Sequence, residues 1–189
     1  MTSMDRAYFD EIYRSHSDPW RFESSWYEQR KRAVTIAALP EPRYQSAFEP
    51  GCSIGMLSSL LAHRCDQLLA TDIVADVVVR ARDRCRPSPW VRVEQRSIPE
   101  EWPTGSFDLI VLSEIAYYFD RSGLKDIMGR VLASATPGAT VVGAHWRGTT
   151  NYPLTGDEAH GIMASESGLE HRIHYAESDF VLDIWNRAS

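Results

Sequence analysis

The chain reads as an α/β protein: a doubly wound, mostly parallel seven-stranded sheet, preceded by N-terminal lid helices. Three observations predict this. Strand-type apolar runs alternate with helical intervals through the middle of the chain. A glycine-bearing turn follows the first strand, in Ala47-Phe48-Glu49-Pro50-Gly51-Cys52-Ser53-Ile54-Gly55. A second carboxylate, Asp72, closes the next strand, Leu68-Leu69-Ala70-Thr71-Asp72. Alternating strands and helices give a parallel sheet covered on both faces.

Taken in order, Ala7, Tyr8, Phe9, Ile12 and Tyr13 recur at helical spacing from Asp5 to about His16, and the segment stops before Asp18-Pro19. Ser24 or Ser25 caps a second helix carrying Trp26, Tyr27, Ala33, Val34 and Ala37, which ends at the breaker Leu39-Pro40-Glu41-Pro42. These helices (1–42) form a lid on a core of 43–189, both within one domain of 1–189. Strand signals follow at 45–49, 67–71, 90–95, 107–112, 139–145, 170–176 and 179–186. The last two, split near Glu177-Ser178, form an antiparallel hairpin. Such sheets bind ligands beyond the carboxyl ends of their strands where chain order reverses, so Glu49, Asp72, Ser97, Ser113 and His145 converge there.

Composition narrows the function. With 43% hydrophobic and 24% charged residues, the 189-residue chain suits one ordinary globular domain. A net charge of −6 argues against a broad nucleic-acid surface. Arg30-Lys31-Arg32, the main basic run, reads as a solvated helix face. Cys52, Cys65 and Cys85 are odd in number and widely spaced, which fits neither a disulfide framework nor a zinc site, and a reducing cytoplasm is expected. The N-terminus lacks the apolar core of a signal peptide, and no segment has the roughly 18 apolar residues of a membrane span.

Gly51 and Gly55 let the turn after the first strand bend sharply and approach a ligand closely. Asp72 lies 17 residues past Gly55, near the roughly 20-residue offset at which a carboxylate reaches ribose hydroxyls. Dinucleotide sites use G-x-G-x-x-G to seat a pyrophosphate, whereas this turn offers two glycines with Ser53 between them, so NAD is disfavoured. Glu49 suits a cationic amino-acid moiety and repels phosphate. Together these features point to S-adenosylmethionine as cofactor. The plainer alternative is that the glycines shape a loop and Asp72 caps a helix.

Further candidates lie along the same crevice. Phe107–Ser113 delivers Ser113 and Glu114 at a strand end, directly before Tyr117 and Tyr118, whose rings can face a sulfonium or a sugar. Ser113 is assigned to the cofactor; Glu114, Tyr117 and Trp146 are assigned to the substrate. Both carboxyl-end groups also suit helix capping. His145 and His160 are candidate bases near neutral pH, alongside Tyr118. No metal is expected, because H-x-x-x-H is absent and Asp157 and Glu158 read as an acidic first turn. Trp20 is expected to cover the cofactor and Arg30 to meet its carboxylate. Packing of the first helices against the sheet accounts for these aromatics as well.

These residues resemble class I S-adenosylmethionine-dependent methyltransferases of Rossmann-like fold, and more narrowly the rhizobial nodulation N-methyltransferase family NodS. The resemblance spans nearly the whole chain. It rests on Asp18-Pro19-Trp20, Ser25-Trp26-Tyr27-Glu28, Glu49 to Gly55, Ser113-Glu114-Ile115-Ala116-Tyr117-Tyr118 and Asn151-Tyr152-Pro153-Leu154-Thr155-Gly156-Asp157-Glu158. It implies a cofactor set completed by Ile73, Ser97 and Ile98. Ser53 stands where that class commonly has glycine, and Ser97 where an acidic residue often meets the adenine amino group. The resemblance also implies methylation of the free amine on the non-reducing glucosamine of a deacetylated chitooligosaccharide. The rival readings are transfer to another small amine or hydroxyl compound, a silent S-adenosylmethionine-binding module, and a nicotinamide oxidoreductase.

Overall fold

The computed structural model describes residues 2–188. Its elements in chain order are α1 (Arg6–Ser15), α2 (Trp26–Ala38), β1 (Tyr44–Pro50), α3 (Met56–Leu61), β2 (Cys65–Asp72), α4 (Ala75–Cys85), β3 (Val91–Gln95), β4 (Phe107–Ser113), α5 (Arg121–Ser134), β5 (Ala135–Trp146), α6 (Gly156–Ala164), β6 (Leu169–Ala176) and β7 (Phe180–Arg187). The seven strands make one sheet in the order β3-β2-β1-β4-β5-β7-β6. Strands β1 to β5 pair in parallel, and β7 runs antiparallel to both β5 and β6. The hairpin therefore inserts its second strand between β5 and β6.

Period-two alternation sorts the core onto two faces. Phe48, Ile110, Leu112 and Val141 pack in one cluster with Leu124, Ile127 and Met128 of α5 and Ile162 and Met163 of α6. Their neighbours Ala47, Leu109, Val111, Val142 and Ala144 pack in another with Leu57 and Leu61 of α3, against which Tyr27, Val34 and Ile36 of α2 lie. Both faces of β1, β4 and β5 are thus covered, as continuous apolar parallel strands require.

Helix termini follow local chemistry. Asp5 caps α1 by accepting from the Tyr8 N–H, and of the two candidate serines it is Ser25 that caps α2. Thr155 and Glu158 form a reciprocal capping box at α6. Chain order reverses between β1 and β4, so the strand ends there leave a crevice. Helix α1 lies at its mouth, held by the Met4 N–H donating to the Tyr118 carbonyl at 2.8 Å. Its Tyr13 hydroxyl meets Ser53 Oγ at 2.5 Å.

Gly55 caps α3 with φ +78°, and a Cβ there would lie 3.0 Å from Ala81 Cα in α4. Left-handed backbone and a close approach of two helices both demand glycine. Gly55→Ala is expected to lower stability by about 1–3 kcal/mol, read from urea denaturation midpoints; an unchanged midpoint would count against this packing argument.

Candidate functional site

Beyond the carboxyl ends of β1, β2 and β4 lies a cavity of about 560 Å³, within the usual range for small-molecule sites of roughly 300–1,000 Å³. Gly51, Ser53, Asp72, Ile73, Ser97 and Ile98 line its sheet side. Phe9, Tyr13, Trp20 and Phe22 close it from the N-terminal segment, and Glu114, Tyr117 and Tyr118 form a further wall. Asp5, Glu100, Asp120 and Asp126 add carboxylates to the lining, against Arg6 and Arg96. A smaller recess of about 50 Å³ adjoins Gly51 and Ser53 and is lined by Glu49, Ser113, Glu114, Glu28, Lys31 and Arg32.

Two buried carboxylates stand at the ends of β1 and β2. Asp72 accepts from the backbone N–H of Ser53 at 2.9 Å and of Val74 at 3.0 Å, which fixes the β1 turn against β2. Burial pushes its pKa up to about 6, and those hydrogen bonds hold it from rising further. Ser53 sits at φ +48°, the conformation a glycine would take without strain. Glu49 is more isolated: its Oε2 is buried without a hydrogen-bond partner. Burial pushes its pKa up to about 8, with the neighbouring Asp72 adding to the rise and Ser58 opposing it. A buried acceptor beside a recess fits a cationic ligand group.

Glu114 ends the β4 segment at φ +54°, a strained position for a non-glycine residue. Its N–H donates to the Ala144 carbonyl at 2.9 Å, which ties the turn to β5. Its Oε1 accepts from Lys31 Nζ at 2.6 Å, and its Oε2 accepts from the Tyr117 hydroxyl. Lys31 also donates to Glu28 at 2.8 Å, and Arg32 bonds Glu28 and the Phe22 carbonyl. Burial raises the Glu28 pKa, partly offset by Lys31.

Several sequence expectations are corrected here. Arg30 does not reach the crevice: its guanidinium pairs with Glu177 and donates to the Tyr175 hydroxyl at 2.9 Å, so α2 is tied to the β6–β7 hairpin. The solvated basic face is wrong for Lys31 and Arg32, which are 1% and 6% exposed. Gly55 lines neither cavity and serves helix packing. Trp146 is 37% exposed and lies outside both linings. Ser113 lines only the small recess.

The two histidines are brought together but kept away from the cavity. His145 Nε2 accepts from the Ala116 N–H at 3.0 Å, its Nδ1 meets His160 Nε2 at 2.9 Å, and His160 Nδ1 meets Asp183 Oδ2 at 2.5 Å. Every ring nitrogen is occupied, and burial pushes the His145 pKa well below the usual imidazole range. Neither ring is placed to take a proton from a ligand. Tyr118 does line the cavity, but burial raises its pKa well above the ordinary phenol value, so it stays protonated. Sequence reading gave no site role to Glu28, Lys31, Arg32 or Tyr13: the basic run of α2 looked like a solvated face, and Tyr13 looked like one more apolar position of α1.

A reversal in strand order with carboxylates at the ends of β1 and β2, beneath an N-terminal lid, defines the Rossmann-like methyltransferase fold. A crystal structure of the N-methyltransferase NodS from Bradyrhizobium japonicum WM9 in complex with S-adenosyl-L-homocysteine superposes with a TM-score of 0.87 at 20% identity, covering 98% of this chain and 100% of that one. A candidate methyltransferase from Pseudomonas syringae superposes with a TM-score of 0.78 at 42% identity, over 86% of this chain and 100% of that one. The family model described as nodulation protein S (NodS) matches residues 11–142, and the chain belongs to that family. Nodulation protein S of Rhizobium tropici is 30% identical over 130 residues, which are 66% of this chain and 53% of that protein. The chain thus spans about half the length of the curated relatives it matches.

Glu49 fixes a pH prediction. Its folded pKa, about 8, lies above the ordinary 4.5, so between those values the folded state holds a proton that the unfolded state has lost. Stability then falls as pH rises through that window. Glu49→Gln is expected to flatten this loss in the ligand-free protein, read as the melting temperature at pH 5.5 and 8.5; an unaltered slope would rule Glu49 out as its source.

Proposed function

We propose that the chain is an S-adenosylmethionine-dependent N-methyltransferase that modifies the free amine of the non-reducing glucosamine on a deacetylated chitooligosaccharide, a step of Nod factor synthesis. Membership of the NodS family supports this. The observation that carries it is the unpartnered Glu49 Oε2 beside a recess that also holds Arg32. Arg32 suits the carboxylate of a free amino acid, and the ammonium of that amino acid would draw the proton from Glu49, whose pKa burial lifts to about 8, and hold it ionised; a nicotinamide dinucleotide lacks both groups.

The residues divide the ligand between them. Glu49 would hold the methionine ammonium and Arg32 its carboxylate, in place of Arg30. Asp72 has lone pairs left for the ribose hydroxyls, and Ile73 and Ile98 offer apolar walls for the adenine, with Ser97 and Glu100 at its rim. Trp20, Phe9 and Tyr13 of the lid would exclude water from the bound donor. When bound, S-adenosylmethionine supplies an electrophilic methyl group on a sulfonium.

The acceptor side is acidic and aromatic. Glu114, kept in place by Lys31 and Tyr117, would bind the incoming amine, while Tyr118 and Phe119 present ring faces to a sugar. An ammonium has no lone pair, so its proton must leave before attack. Glu114 and water in the cavity can take it, and the buried histidines cannot. Positioning then supplies much of the rate, as expected for a displacement that needs in-line alignment.

Among the described residues no helix is long and apolar enough to cross a membrane. This fits our reading that the reaction occurs in the cytoplasm, on a small-molecule or oligosaccharide amine and not on nucleic acid. We also take 1–42 as a lid on a single domain.

The test is to incubate the purified chain and S-adenosylmethionine with deacetylated and with fully acetylated chitooligosaccharides and to record mass spectra. A methyl increment is expected only on the free amine. Absence of transfer to either substrate, with S-adenosylhomocysteine still bound by calorimetry, would overturn this acceptor assignment. Glu114→Gln is expected to lower kcat/KM for the amine at least about tenfold.

A further inference from the structure

The β6–β7 hairpin carries a side-chain cluster that the cavity does not use. We propose that His171, His174 and Asp183 form a binding site for one borderline divalent transition-metal ion of the zinc class, outside the methyl-transfer cavity. The proposal does not rest on the methyltransferase reading.

Residues three apart on a regular strand point to opposite faces. Here the pairing of β6 with β7 slips between His171, opposite Trp185, and Ile173, opposite Ile184. Two residues of β6 advance against one of β7, and Arg172 is the extra one. A bulge of this kind re-aims the side chains after it. Both imidazoles consequently reach the same carboxylate oxygen, His171 Nε2 at 2.6 Å and His174 Nδ1 at 2.8 Å from Asp183 Oδ1. The three donor atoms lie within 4.8 Å of one another.

The donor chemistry selects the ion. Two imidazole nitrogens and one carboxylate oxygen suit zinc and its neighbours, whereas calcium and magnesium take oxygen ligands. Asp183 is buried, and among the described residues its ion-pair partners within 4.0 Å are all histidines. Its other oxygen, Oδ2, is held by buried His160, which fixes the carboxylate plane and leaves Oδ1 to the ion. His171 and His174 have side chains 48% and 58% exposed, so an ion has a path in and water can complete its coordination. To bind, each neutral imidazole shifts its proton to its other ring nitrogen and offers the freed lone pair. The three cysteines are buried and do not compete.

The test uses tag-free, chelator-treated protein titrated with zinc chloride by calorimetry, and with cobalt(II) by visible absorption. One site per chain is expected. The double variant His171→Ala/His174→Ala is expected to weaken zinc binding at least about tenfold and to abolish the cobalt ligand-field bands. A control, His16→Ala/His63→Ala, which alters two exposed histidines elsewhere, should leave both unchanged. Circular dichroism establishes that each variant is folded. No saturable binding by the unaltered protein, or equal affinity in the His171/His174 variant, would overturn the proposal.

Discussion

The site depends on a lysine with almost no contact with water. Lys31 Nζ sits between Glu28 on its own helix and Glu114 at the end of β4. An ion taken so far out of solvent costs several kcal/mol unless opposite charges and hydrogen bonds surround it. Two carboxylates do so here, and the second comes from the sheet. Helix α2 is thereby joined to the end of β4, and the charge of Glu114 is balanced within the protein itself. Removing one partner would strand the others, which is why this contact constrains α2, β4 and the turn after it together.

A different balance holds on the cofactor side. Asp72 spends both oxygens on backbone N–H groups of its own turn and its neighbour's, so it builds the crevice as well as lining it. Glu49 has no such return. Its Oε2 stays without a partner, and a buried acceptor left that way costs roughly 1–3 kcal/mol. The fold carries one carboxylate that supports structure and one that is left without a partner, and the difference lies in which of them has N–H groups within reach.

Much of this architecture was legible in the residues. The strand–helix alternation, the glycines at 51 and 55 and the terminal hairpin located all seven strands to within a few positions, because period and turn chemistry are local properties. The places of Asp72 and Ser97 in the crevice lining followed from strand ends, whereas Ile73 and Ile98 came only with the family resemblance. What was not legible needed partners from distant parts of the chain. Arg30 and Lys31 are adjacent, yet one turns to Glu177 and the other to Glu114. Nothing in the Arg30-Lys31-Arg32 run says which face of α2 meets the sheet. His145 and His160 looked like bases because imidazole exchanges protons near neutral pH, and only the insertion of β7 between β5 and β6 brings Asp183 against His160.

The direction of the buried chain is set at its other end. The Ala116 N–H can only donate, so His145 Nε2 must accept and its proton must reside on Nδ1. His160 Nε2 then accepts, its proton resides on Nδ1, and Asp183 Oδ2 receives it. One backbone donor in the turn after β4 fixes two tautomers, and the chain it starts ends at a carboxylate on β7. The histidines therefore act as a strut. They hold the turn containing Ala116 at a set distance from β7, and through it Glu114 and Tyr117, so this wall of the cavity is positioned by hydrogen bonds from behind.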